Sequence, residues 1–308
     1  MAVLTGVMIA EQARANSELS IRIGNSVEAA FVSFTSGLII IAVITLFNPT
    51  IKLGLKNLRT AVKSGQMGSW RLLAGALGGA AIAISTHVVP LIGVALYSVA
   101  TISGQTAVSL LVDRIGLAGG ERKLISLRRV IAALITVLAV LVSVLDKISI
   151  DKFQLFAVVL GLCAGVIIGI QRSLNGSINV HSKASYATSL LNFIMGSTFL
   201  ALLTLALLIL HGDAINPLPS GPWWIYTGGV VGVIYIAMSS IVVQHLGVLT
   251  FVLFSVGGQL LGSLIFDIIA PTEGAHVTAY LISGIVMTYI GVVVGGESRL
   301  FKRNSLPR

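Results

Sequence analysis

The chain has 308 residues, 56% of them hydrophobic and only 10% charged, with 20 lysines and arginines against 11 aspartates and glutamates. So few charges cannot solvate a water-soluble globule of this length, so the composition is that of an integral membrane protein and excludes a soluble enzyme or binding module. The net charge of +9 would suit a nucleic-acid partner, but the basic residues do not gather on any soluble module, so no nucleic acid is expected.

Residues 1–19 form the first segment near the ~20 residues that a helix needs to cross the hydrocarbon core. The run is followed by Ala13-Arg14-Ala15, which imitates a signal-peptide cleavage site. The segment lacks a basic start, Glu11 and Gln12 interrupt it, and its pattern recurs internally at 165–175, so it reads as a span that stays. Ten apolar residues before Glu11 put its carboxylate ~15 Å deep if Met1 lies at the inner interface, about midway. Two readings stand open there: a buried carboxylate that takes up and releases a proton, or an i, i+3 pair with Arg14 that snorkels to the surface. Gln12 and Asn16 are one turn apart and share a face.

The second span covers 26–47. The join over 48–69 places Ile51, Leu55, Leu58 and Val62 at helical spacing beside Lys52, Lys56, Arg59 and Lys63, which predicts a helix lying on anionic lipid head groups. Spans three and four, 70–90 and 93–113, are separated by VVPLIGV, with a glycine where the helix must stop. His87 lies near the outer end of span three, where it reads as an interface residue before a proton relay. Gln105 sits within span four, and Asp113 closes it. The fifth span covers 127–145.

The second five spans run near 153–174, 186–210, 223–243, 248–269 and 277–296. Apolar residues continue through all ten without the alternation of a membrane strand, so the spanning elements are helices. Gly161, Gly165 and Gly169 recur every four residues on the sixth, a small-residue face for close helix approach that could also serve sliding during a cycle or a homodimer contact. Cys163 in the same span has no thiol neighbour and reads as a packing residue. Arg172, near the inner end, reads as a snorkelling anchor before an anion hook. VVQHLGV at 242–248 repeats the tight join, and Asp267 closes span nine as Asp113 closes span four.

The two sets of five are copies. A shift of 159 lays Gly6, Gln12, Asn16, Phe34 and Gly37 on Gly165, Gln171, Asn175, Phe193 and Gly196. After a loop five residues shorter, a shift of 154 lays Trp70, Gly75, Gly78, Gly104, Gln105 and Asp113 on Trp224, Gly229, Gly232, Gly258, Gln259 and Asp267. Polar residues in register inside apolar runs are not a product of composition. Five is odd, so the second copy is inverted in the bilayer, as in secondary transporters that open alternately to either side. The expected fold is all-α, with ten transmembrane helices as two inverted repeats, 1–146 and 147–308.

Alternating through ten spans puts sixteen lysines and arginines on the side of the N-terminus and four (Arg14, Arg22, Lys147 and Lys152) on the other. That asymmetry predicts cytoplasmic termini. Against its partner, the first span lacks about six residues, so the true start codon lies upstream or the helix enters at a thinned site. Inversion turns the Gln12/Asn16 and Gln171/Asn175 faces into two amide patches about a pseudo-two-fold axis, with Gln105 and Gln259 a third matched pair and Asn192, opposite Ser33, a further polar group. Interhelical amide hydrogen bonds are the competing reading. The expected substrate cavity comprises Glu11, Gln12, Asn16, Gln105, Gln171, Asn175, Asn192 and Gln259, with Glu11 and His87 the candidates for proton coupling. No GxxxxGK[ST] loop, HExxH motif or cysteine cluster is present, so neither ATP, a metal, a cofactor nor membrane enzymology is expected.

Two five-helix copies, the GxxxxxQxxxN pattern at Gly6-Gln12-Asn16 and Gly165-Gln171-Asn175, the step at Ser33, Phe34 and Gly37, and the pairs Gly104-Gln105 and Gly258-Gln259 resemble the drug/metabolite transporter superfamily, within it the YdcZ-type branch of bacterial inner-membrane exporters. The resemblance implies a basket of helices around a central cavity, driven by a gradient or by exchange. The function expected is export of a small metabolite or drug-like compound across the inner membrane by alternating access. The alternative is a membrane structural or regulatory partner that does not transport and associates through its glycine faces.

Overall fold

The computed structural model describes residues 1–117, 126–145, 152–211, 214–235, 238, 248–273 and 275–295. All but the last residue of the expected join at 242–248, and the end of the eighth span after 235 except residue 238, lie outside the described residues. Among the described residues the helical elements come in chain order: α1 (Ala2–Ile23), α2 (Ser26–Phe47), α3 (Pro49–Lys63), α4 (Ala74–Ile115), α5 (Leu127–Ser143), α6 (Lys152–Ser182), α7 (Ser185–His211), α8 (228–235), α9 (Val248–Ile269) and α10 (Ala279–Gly295). Short 3-10 turns, Ser69–Leu73 and Trp223–Tyr226, lead into α4 and α8. Among the described residues, five segments are long and apolar enough to cross a membrane: Ser26–Phe47, Ser69–Ile115, Gln154–Ser182, Ser185–Leu210 and Phe251–Ile269.

Local chemistry sets the element ends. Gly24 ends α1 in the left-handed region (φ 77°), and the Asn25 side chain accepts from the Val27 and Glu28 amides to start α2. Asn48 caps α3, with Pro49 in its first turn. Straight, the 42 residues of α4 would span ~63 Å, twice the hydrocarbon core. The helix breaks at Gly93, whose φ of 83° and ψ of 166° only glycine tolerates, and folds back: Gly78 and Val108, ~45 Å apart on a continuous helix, lie against Gln171 and Gly169, two residues apart on α6. Pro90 has already removed one amide from the ladder. The sequence expectation of a helix stop at this glycine therefore holds, and residues from far along the chain stitch the break. Asp267 accepts from the amides of Val94 and Ala95, both at 2.8 Å, while the Thr272 hydroxyl donates to the carbonyl of Val89.

Glycines set how the helices pack, and four of their close approaches occur twice. A Cβ at Gly6 would overlap the Ser255 carbonyl, and one at Gly165 the Thr101 carbonyl. Gly258 presses on the Val3 carbonyl as Gly104 does on that of Leu162. Gly229 meets the backbone of Ser33 as Gly75 meets that of Asn192, and Gly37 meets the Phe193 ring as Gly196 meets the Phe34 ring. In every pair the members differ by 159 or 154 positions. Such approaches let backbones come within van der Waals reach and make dense packing the attraction between helices that lipid already solvates.

The contacts also fix directions. Val3 meets Gly258, Ala10 meets Gly262 and Arg14 reaches Ala270, so α1 and α9 run parallel. The limb of α4 after Gly93 runs parallel to α6, with Tyr97 and Ala100 beside Gly161 and Val108 beside Gly169. In contrast, α5 and α10 are antiparallel, Ser143 against Gly284 and Thr136 against Gly291.

The basic amphipathic helix forms as expected, and part of its apolar face packs on protein. Ile51, Gly54, Leu58 and Ala61 are buried, Gly54 against Ala184 and Ala187, and the Asn57 amide donates to the carbonyl of Ser182 at the α6–α7 turn. Lys52, Lys56, Arg59 and Lys63 remain exposed. A correction concerns Cys163, which is exposed on α6 rather than packed inside. The neighbouring Gly161 and Gly165 claim the inward face, leaving the cysteine to point away.

Candidate functional site

The polar candidates form two separate groups, one on α1 and one on α6 and α7, with the Phe34 and Phe193 rings stacked at a tilt, centroids 5.5 Å apart. In the second half, α6 and α7 bring three amides into a chain. Gln171 Nε2 donates to Asn192 Oδ1 at 3.1 Å, and Asn192 Nδ2 donates both to Asn175 Oδ1 at 2.8 Å and to the Thr188 carbonyl at 2.8 Å. Gly78 of α4 closes over the group, with no room for a Cβ beside Gln171 Nε2.

In the first half, α1 faces the start of α8. Gln12 Nε2 donates to the Gly228 carbonyl at 2.7 Å, and Thr227 Oγ1 donates to Glu11 Oε1 at 2.7 Å. Gly232 lies over Gln12 as Gly78 lies over Gln171. Among the described residues, neither amide atom of Asn16, which is only 1% exposed and wedged against Gly228, is hydrogen-bonded, and Glu11 Oε2 is likewise buried without a partner. Each such buried group costs about 1–3 kcal/mol, a cost that the hydrogen-bonded chain of Gln171, Asn192 and Asn175 is spared.

The remaining candidates stay apart from both groups. Gln259 is buried on the face of α9 that meets Gly6, and Gln105 is half-buried along Gly169 of α6. No hydrogen bond among the described residues ties either to the two amide groups. His87 is exposed on the first limb of α4. Asp113 ends α4 in an ion pair with Arg129 at 2.6 Å, and Asp267 caps the break at Gly93, so both are helix-end residues as expected.

The expected pair between Glu11 and Arg14 does not form. Arg14 is buried with Nη1 on Glu18 at 3.1 Å, Nε donating to the Ala270 carbonyl at 2.9 Å and its guanidinium over the Trp224 ring. An i, i+4 partner, a free carbonyl at the end of α9 and an aromatic face together outcompete a carboxylate three residues back. Glu11 is the tenth of the 22 residues of α1. Its neighbour Ala10 lies level with Gly262, ~10 Å from the end of α9 at 1.5 Å per residue.

Several residues of the site carry no signal in the repeat. Thr227 stands opposite Leu73 and Gly228 opposite Ala74, so matching the copies passes over both. Glu28 is buried and accepts from the backbone amide of Asn216, tying α2 to the segment before α8. Its counterpart is Ala187. These are the places where the two halves have diverged.

A family described as "Putative inner membrane exporter, YdcZ" matches residues 1–142 and 156–294. No curated protein matches the chain.

Proposed function

Because the chain belongs to the YdcZ family of inner-membrane exporters, within the drug/metabolite transporter superfamily, we propose that it is a secondary transporter that exports a small metabolite or drug-like compound by alternating access. Ten helices in two inverted repeats, 1–146 and 147–308, rock about the Phe34–Phe193 contact. The observation that carries this reading is the reciprocity of four glycine contacts between elements of the two halves, each of which has a counterpart with the roles of the halves exchanged. Parallel packing of α1 with α9 and of α4 with α6 supports it, since one alternation through ten helices gives both pairs the same sense.

Both termini lie in the cytoplasm on this reading, as the distribution of lysine and arginine favours. The exposed basic face of α3 then meets anionic head groups of the inner leaflet. Cysteines placed singly at Gln66 and Ser220, exposed residues in equivalent joins, test the inversion in a Cys163→Ser background. An impermeant maleimide should reach Ser220→Cys from the periplasm and Gln66→Cys only after lysis. Labelling of both from one side would remove the inverted architecture and the mechanism with it.

Substrate passes between the two amide groups, one toward each face, and Glu11 carries the coupling proton. The unpartnered Oε2 of that buried carboxylate supports the assignment. In proteoliposomes, Glu11→Gln should preserve exchange of substrate across the membrane and lose accumulation driven by a pH gradient. Driven accumulation that survives the substitution would take Glu11 out of the coupling.

A further inference from the structure

The two halves carry the same glutamine and asparagine, and they treat the asparagine differently. In the second half, Asn175 receives a hydrogen bond from Asn192, whose own carbonyl oxygen is held by Gln171. In the first half, the position of Asn192 is Ser33. A serine is too short to bridge Gln12 and Asn16. Gln12 turns to the Gly228 carbonyl instead, and Asn16 is left with an unused donor and an unused acceptor while 99% buried. The same spot has lost a second group. Gly228 replaces the Ala74 of the other half, and a Cβ there would overlap Asn16 Oδ1 and stand 2.8 Å from Ser33 Oγ.

A carboxamide and a methyl group are thus both absent around one asparagine, and the cost of its unsatisfied amide is retained. We infer that Asn16 takes its missing partner from the molecule carried: a neutral edge that presents an N–H donor next to a carbonyl acceptor, as a carboxamide, lactam, ureide or nucleobase does. Asn192 is a partial likeness of that group, its N–H held by Asn175 Oδ1 and its carbonyl oxygen by Gln171. Asn16 Nδ2 donates to the carbonyl of the edge while Asn16 Oδ1 accepts from its N–H, the paired geometry that two amides form. A carboxylate has no donor to offer and an ammonium has no acceptor, so each would leave half of Asn16 unpaired. Gly228 covers Asn16 in this structure, and withdrawal of the start of α8 from α1 admits the edge. The assignment names the substrate class for the transport reading above, but the binding step does not depend on transport.

The test uses the full chain in lipid nanodiscs, with benzamide, benzoate and benzylamine as matched probes in titration calorimetry. Benzamide should bind roughly ten-fold or more tightly than either ionic analogue. Ser33→Asn installs the amide of the other half and should weaken benzamide by about the same factor while raising the melting temperature of the unliganded protein. Should Ser33→Asn not fold, Asn16→Leu removes both unpaired atoms and should also abolish the preference. Equal binding of the three probes, or undiminished benzamide binding in these variants, overturns the inference. Counterflow of labelled benzamide in proteoliposomes separates the two claims. Selective binding without counterflow of any solute would sink the transport reading and leave the site standing, whereas counterflow of other solutes with no amide preference would do the reverse.

Discussion

Alanine at Gly165 is expected to cost roughly 3 kcal/mol or more and to leave little monodisperse protein, because its Cβ would be driven into the backbone carbonyl of Thr101. A backbone oxygen inside a helix cannot rotate away as a side chain can. The two helices would have to separate along their length. Gly161→Ala, one turn earlier on the same face of α6, provides the contrast: its Cβ would stand 3.1 Å from the Ala100 methyl group, which a few tenths of an ångström of adjustment relieves. Gly6→Ala, the repeat counterpart of Gly165→Ala, should fail in the same way against Ser255. Thermal unfolding in detergent, read with gel filtration, checks all three. If Gly165→Ala and Gly161→Ala melted alike, the close approach of α6 to α4 would not be what holds this part of the protein together.

The second large effect is expected at Asp267. Its carboxylate is buried and receives the amides of Val94 and Ala95, the first donors after the break in α4. Asp267→Ala leaves both amides without an acceptor in a dry environment and should cost about 3 kcal/mol, since hydrogen bonds to a charged group are the strong ones and orphaned buried donors carry the full desolvation penalty. Asp267→Asn keeps one acceptor oxygen and should lose about half as much. The comparison comes from the repeat itself. Asp113 holds the equivalent position but forms a partly exposed ion pair with Arg129, so Asp113→Ala should cost about 1 kcal/mol or less. Equal destabilisation at the two aspartates would show that the break at Gly93 does not depend on its cap.

Much of this fold was legible because polar residues and glycines are rare punctuation in an apolar chain. Gln12 and Asn16 against Gln171 and Asn175 expose the duplication, and three of the glycine pairs that match between copies, Gly6 with Gly165, Gly75 with Gly229 and Gly104 with Gly258, meet backbone in the structure. The stop at Gly93 and the amphipathic α3 follow from local rules of backbone conformation and spacing. What could not be read is what depends on a third element. The choice of Glu18 over Glu11 by Arg14 is settled by Ala270 and Trp224, more than 200 residues away. Matching the copies points to what they share, so it missed Thr227 and Gly228, where they differ. Asn192 and Ser33 were aligned, yet the consequence for Asn16 depends on which side chain can reach it, a matter of distance and not of register. The outward turn of Cys163 likewise depends on which face of α6 the second limb of α4 occupies.

The pairing of α1 with α9 also bears on how the chain is made. Some 224 residues separate the end of α1 at Ile23 from the start of α9 at Val248, roughly ten to forty-five seconds of synthesis at ordinary ribosomal speed. Throughout that interval α1 has α2 and α4 beside it but lacks α9, so Gly6 faces no Ser255 and Arg14 has no Ala270 carbonyl, whereas α6 meets the second limb of α4 as soon as it emerges. Assembly is therefore lopsided in time although the finished contacts are even-handed.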